Sequence, residues 1–92
     1  MKIQSSAVKE NMHQRLRRIE GQVQGVQRML DADRDCGDIV QQLRAIRAAL
    51  DKATTLFVQA HARECLLQGG QMNPAEQVEL IDSVLELMAK TY

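Results

Sequence analysis

The sequence predicts an all-α fold of three helices, and two observations carry that expectation. In a chain of 92 residues that is 45% hydrophobic, with one Phe, one Tyr and no Trp, the apolar material is Leu, Ile, Val, Met and Ala, a composition that favours helix over strand. These residues also recur at alternating spacings of four and three, the period of a helical seam.

In the first helix Met12, Leu16, Ile19, Val23, Val26 and Leu30 form an uninterrupted stripe of this kind, with Ser6 as the candidate cap before it. It ends in the polar run from Asp31 to Asp35. Asp35 reads as the N-cap of the second helix, with Asp38 at its third position, and Ile39, Leu43, Ile46, Leu50, Ala53, Phe57 and Ala60 continue the alternation. This helix, about 34 residues or ~51 Å long, runs to the stop signal Gly69-Gly70. Asn73-Pro74-Ala75-Glu76 then supplies a cap, a first-turn proline and a capping-box partner. The third helix is short and acidic, with Val78, Ile81, Val84, Leu85 and Met88 on one side.

A seam of period 3.5 sustained over two consecutive helices fits an antiparallel hairpin that pairs with a second copy into a four-helix bundle. A monomeric three-helix bundle fits less well, because the second helix would extend past the third and leave apolar surface open. Residues 1–92 read as one domain, whose core stays modest unless it oligomerises. Residues 1–10 lack the apolar stretch of a secretory leader, and no run approaches the ~20 apolar residues of a membrane span. The expected location is therefore the cytoplasm, with no membrane partner. Thiols stay reduced there, so Cys36 and Cys65 point to metal binding or reactivity rather than to a disulfide.

Those two cysteines and His61 form a soft-metal ligand set. His61 and Cys65 are four apart on a helix and share a face. Cys36 lies 29 residues before Cys65 on the same helix, a separation of about 43 Å. One protomer cannot close such a site. Two copies of the helix packed antiparallel bring Cys36 of one chain to Cys65 of the other, giving two equivalent sites across a dimer interface. Singly, Cys36 reads as a small residue at a helix start, His61 as structural and Cys65 as core; their complementary spacing is what makes them a site. His13 has no partner at ligand spacing.

The net charge is zero but unevenly spread. Residues 1–63 hold 11 Lys and Arg against 7 Asp and Glu, whereas residues 64–92 hold 1 against 5. Arg15, Arg17 and Arg18 cluster on the first helix, and Arg44, Arg47 and Lys52 on the polar side of the second. Such a face can follow a phosphate backbone. Charge alone favours an ordinary solvated face, since no helix-turn-helix, zinc-finger or ribbon motif is present.

Arg15-Leu16-Arg17-Arg18-Ile19-Glu20-Gly21-Gln22, Arg28-Met29-Leu30, Asp35-Cys36, Gln42-Leu43 and His61-x-x-x-Cys65 together resemble the copper-sensing branch of the CsoR/RcnR family of bacterial repressors, over nearly the whole chain. The resemblance implies a helical dimer of hairpins assembled into a flat tetramer, a dimer of dimers, that binds operator DNA in the metal-free state and releases it on binding Cu(I). It implies a metal site of Cys36 from one subunit with His61 and Cys65 from the other, the arrangement reached from spacing. It further implies DNA contacts from Arg15 and Lys52, with Arg18 and Arg44 as weaker assignments, and a hydrogen bond from the metal-bound imidazole to the Glu79 carboxylate.

Nickel and cobalt sensors of the family resemble one another in an N-terminal His and a second His where this chain has Cys65, and position 3 here is Ile3. Formaldehyde sensors typically have proline at position 2, where this chain has Lys2, and lack the second Cys. Persulfide sensors usually lose the histidine, which is present as His61. Copper sensors often carry Tyr before the first Cys; here it is Asp35. The rival reading is a thiol-based repressor in which Cys36 and Cys65 are crosslinked by persulfide or oxidant. A metal-storage or helical interaction module is a third. An enzyme is not expected, because no activated Ser, paired carboxylate or cleft-forming pattern is present.

Overall fold

The computed structural model describes residues 2–69 and 73–90 and is built from α1 (Ser6–Asp31), α2 (Cys36–Gly69) and α3 (Pro74–Lys90). There is no strand among the described residues. α1 and α2 form a hairpin, and α3 folds back onto α2.

Local chemistry sets most of the helix ends. Ser5, not Ser6, caps α1: its Oγ accepts from the Val8 N–H at 3.2 Å, satisfying one of the four unpaired amides of a helix start. At the other end the Arg34 N–H donates to the Met29 carbonyl and the Asp33 N–H to the Leu30 carbonyl, the paired bonds of a Schellman turn. That turn needs a left-handed residue, and Asp33 takes the position with φ 52°. Asp35 caps α2, its Oδ2 accepting from the Gly37 N–H at 2.9 Å. Asn73 caps α3, its Oδ1 accepting from the Glu76 N–H, and a variant of the expected capping box returns the bond through the side chain, Asn73 Nδ2 donating to Glu76 Oε1, both at 2.9 Å. α2 ends at Gly69; Gly70, the second half of the expected stop, lies outside the described residues.

The seam divides in two. Ile19 and Val26 of α1 meet Ile46 of α2 in the hairpin core, with Ile39 and Ala49 packed against them, and Ala53 and Ala60 continue the buried row along α2. The residues between them, again seven apart, face outward: Leu16, Val23 and Leu30 on α1 and Leu43, Leu50 and Phe57 on α2 are 36–57% exposed. The molecule measures 59 × 26 × 13 Å, one helix layer thick, so the hairpin covers only one side of each helix. α3 does not cover both other helices as a three-helix bundle would: it packs on the C-terminal part of α2 and leaves this outward row open.

Candidate metal centre

The long uninterrupted α2 holds both halves of the expected ligand set and keeps them apart. Cys36 is its first residue, exposed at the hairpin end. His61 and Cys65 lie one turn apart near the other end, and both are buried. Cys65 Sγ and His61 Nε2 approach to 3.9 Å, so the i, i+4 spacing aims a sulfur and an imidazole nitrogen at one point. Burial, followed by the nearby negative charge of Glu64, raises the pKa of the Cys65 thiol, so it stays protonated until something displaces the proton. Among the described residues no three His, Cys, Asp or Glu side chains of one chain converge closely enough to hold a metal ion. The structure thus brings His61 and Cys65 together and leaves Cys36, the other expected ligand, about 43 Å away along the same helix.

Several groups surround the pair. His61 adjoins a depression lined by Ser83, Glu86 and Lys90 of α3, where Lys90 pairs with Glu86 at 3.6 Å. Glu79 is exposed and lines a neighbouring depression with Glu76, Leu80 and Ser83. On the other side of Cys65, an apolar groove of about 380 Å³ between α2 and α3 is lined by Leu66, Leu80, Ile81, Val84 and Leu85. The half-buried Ile3 reaches a further cavity that also contains Met12, Phe57 and His61.

Glu64, absent from the sequence expectations, ties the beginning of the chain to this region. Its two carboxylate oxygens accept from the Gln4 and Ser5 backbone N–H groups, each at 2.8 Å. These bonds lower the carboxyl pKa, with smaller contributions from His61 and Lys9. α1 has no acidic residue in its own first turn, so Glu64 supplies from another helix the carboxylate that a capping box draws from within. No local pattern announces it, because the partners are about sixty residues apart in sequence.

The basic residues expected to meet DNA are mostly open to solvent. Arg18, Arg44 and Lys52 are exposed, while Arg15 is half-buried and donates from Nε to Asn11 Oδ1 at 3.0 Å. Among the described residues none of these four is in an ion pair; the two that form are Arg34–Asp38 and Lys90–Glu86. No described helix is long and apolar enough to cross a membrane.

Comparison with known proteins gives these features a context. A model of the metal-sensitive transcriptional repressor family matches residues 8–90. The copper-sensing transcriptional repressor CsoR of Bacillus subtilis is 39% identical over 80 residues, 85% of this chain and 79% of that protein. The crystal structure of the copper-sensing repressor CsoR with Cu(I) from Geobacillus thermodenitrificans superposes with a TM-score of 0.73 at 37% identity, covering 96% of this chain and 94% of that one. A variant of the formaldehyde-responsive regulator FrmR from Salmonella enterica superposes with a TM-score of 0.82 at 27% identity, covering 96% and 98%. With a family match over nearly its full length and a helical hairpin shared with those repressors, the chain belongs to the CsoR/RcnR family of metal-sensitive transcriptional repressors, which are not enzymes, and within it to the CsoR-like branch.

Proposed function

We propose that this protein is a cytoplasmic Cu(I)-responsive repressor that binds operator DNA in its metal-free form and releases it when copper binds. The observation that carries the reading is the buried contact of Cys65 and His61 at 3.9 Å, with a second thiol, Cys36, on the same helix and out of reach. Two thiolates and one imidazole form a soft, low-coordinate donor set that suits Cu(I) better than harder or octahedral ions. Cys36 of one subunit with His61 and Cys65 of another would hold the ion, which would supply the Lewis acidity that favours the thiolate form of the buried thiol, its proton passing to solvent. Glu79 is the proposed hydrogen-bond partner of the imidazole once subunits assemble.

A second copy is integral to this reading. An exposed surface of 7072 Å² exceeds the about 5,400 Å² typical of a folded monomer of this mass, and the outward apolar row runs along the hairpin where another hairpin would lie. The oligomer is a dimer or a dimer of dimers. Arg15, Arg18, Arg44 and Lys52 form the DNA face, and metal acts by shifting the population of α2 arrangements away from the one that fits the operator. The thiol-sensor reading is the weaker one, because of the two thiols it would crosslink only Cys36 is exposed, while Cys65 is buried with a raised pKa and is a poor nucleophile.

The test is an anaerobic titration of the reduced protein on operator DNA with Cu(I), Ni(II) and an organic persulfide in separate arms. Release by stoichiometric Cu(I) is expected. Release by persulfide or Ni(II) alone refutes the copper assignment.

A further inference from the structure

Resting on the repressor reading above, we propose that Arg63 and Arg15 form a clamp for one DNA backbone phosphate, and that Arg63 is the arm by which the sensor turn of α2 opens it. The two arginines line one depression of about 310 Å³ where the start of α1 crosses the last third of α2, together with Ala7, Asn11 and Leu56; Phe57, which also lines it, belongs to the row proposed to meet a second hairpin. No carboxylate lines it. Glu64, the nearest acid in sequence, is occupied by the Gln4 and Ser5 amides, and among the described residues neither guanidinium has an ion-pair partner. Arg15 is held in place through its Nε by Asn11, which leaves its terminal nitrogens for an outside acceptor. Two unneutralised guanidinium groups in a shallow groove favour a phosphate oxygen.

Helical geometry connects this clamp to both the DNA face and the metal ligands. Arg63 is 11 residues from Lys52, about three turns, so both lie on one face of α2 roughly 16 Å apart. The clamp thus extends the Arg15 and Lys52 face toward the sensor end. Arg63 is also two residues from His61 and two from Cys65, about 200° around the helix from each. A rotation or bend of this turn that closes the ligand pair on a metal swings Arg63 on the opposite side relative to α1. The affinities for metal and for phosphate are then linked through one rigid turn.

The experiment uses a duplex selected from a random-sequence pool with the metal-free protein, and measures its affinity as a function of salt for the wild type, Arg63→Ala and Arg63→Lys. For each subunit that contacts the duplex, Arg63→Ala is expected to weaken metal-free binding by roughly 3–10-fold and to lower the slope of log K against log salt by about 0.9, the signature of one lost phosphate contact per protomer. Arg63→Lys keeps the slope because it keeps the charge. The factor by which Cu(I) weakens DNA binding should shrink in Arg63→Ala, since the contact is lost only from the metal-free complex. Affinity and slope both unchanged in Arg63→Ala, whose fold is checked by circular dichroism, overturn the clamp alone. A pool that yields no duplex bound by the wild type overturns the repressor reading and the clamp with it.

Discussion

Ser5 and Glu64 are joined at 2.8 Å across 59 residues of sequence, with the Ser5 backbone N–H donating to the Glu64 carboxylate. The same carboxylate holds the Gln4 N–H, so the segment before α1 is pinned one residue away from Cys65. Replacing Glu64 with alanine removes both acceptors and the charge that complements the α1 N-terminus. A lower Tm and faster proteolysis before Val8 are the expected outcomes, read by differential scanning fluorimetry and by limited digestion. The sign with pH follows from the lowered pKa: the tether contributes fully above the ordinary carboxyl value of 4.5 and is lost as pH falls through the lower folded value. Glu64→Ala should therefore lie below the wild type at neutral pH and converge with it in acid.

Asp33 occupies the left-handed position of the α1 Schellman turn, a conformation that costs an L-residue about 1 kcal/mol. Asp33→Gly removes that cost but adds roughly 0.5 kcal/mol of freedom to the unfolded chain. A net gain of up to about 0.5 kcal/mol is expected, a rise in Tm of about 2–4 °C. Asp33→Val, β-branched in the same position, should lower Tm.

The helices were legible because the fours-and-threes seam and the caps Asp35 and Asn73 act within a few residues of themselves. His61 and Cys65 were legible as a pair for the same reason, since i, i+4 spacing fixes a shared face. The cap of α1 was not. Ser5 and Ser6 are equivalent locally, and the carboxylate that joins Ser5 to the rest of the fold comes from α2. The pairing of Arg63 with Arg15 in one depression has no local signal either, because the two belong to different helices. Nor does a seam by itself divide into the row that closes a hairpin, Ile19, Val26, Ile46 and Ala53, and the row left open, Leu16, Val23, Leu43 and Leu50. That division depends on how the two helices cross.

The open row gives a direct test of assembly. Leu50 is 44% exposed in the single chain and occupies the centre of the face proposed to meet a second hairpin. A charge placed there is unpaired and buried in every dimer, and the lost burial of one leucine is worth about 1.5–3 kcal/mol in each subunit. Sedimentation at micromolar concentration should show an oligomer for the wild type and half its mass or less for Leu50→Glu. Leu67→Glu, at a residue 81% exposed outside the row, should leave the mass unchanged. A wild type that sediments as a monomer removes the shared metal site as well.

The site itself predicts a complementation between two inactive chains. Cys36→Ala and Cys65→Ala homodimers each lack one thiolate from both sites, so neither should retain Cu(I) against a competing chelator. In a mixed dimer the two losses fall on the same site, and the other draws Cys36 from the Cys65→Ala chain and His61 with Cys65 from the Cys36→Ala chain. Random exchange makes half of the dimers mixed, each with one complete site, so an equimolar mixture should recover about a quarter of the wild-type capacity. Exchange is verified beforehand by mass-tagging one chain. No recovered capacity after exchange would contradict the antiparallel arrangement of α2 against its partner. Full retention by either homodimer would show that a single thiolate with His61 suffices, and the separation of Cys36 from Cys65 along α2 would then have no role in metal binding.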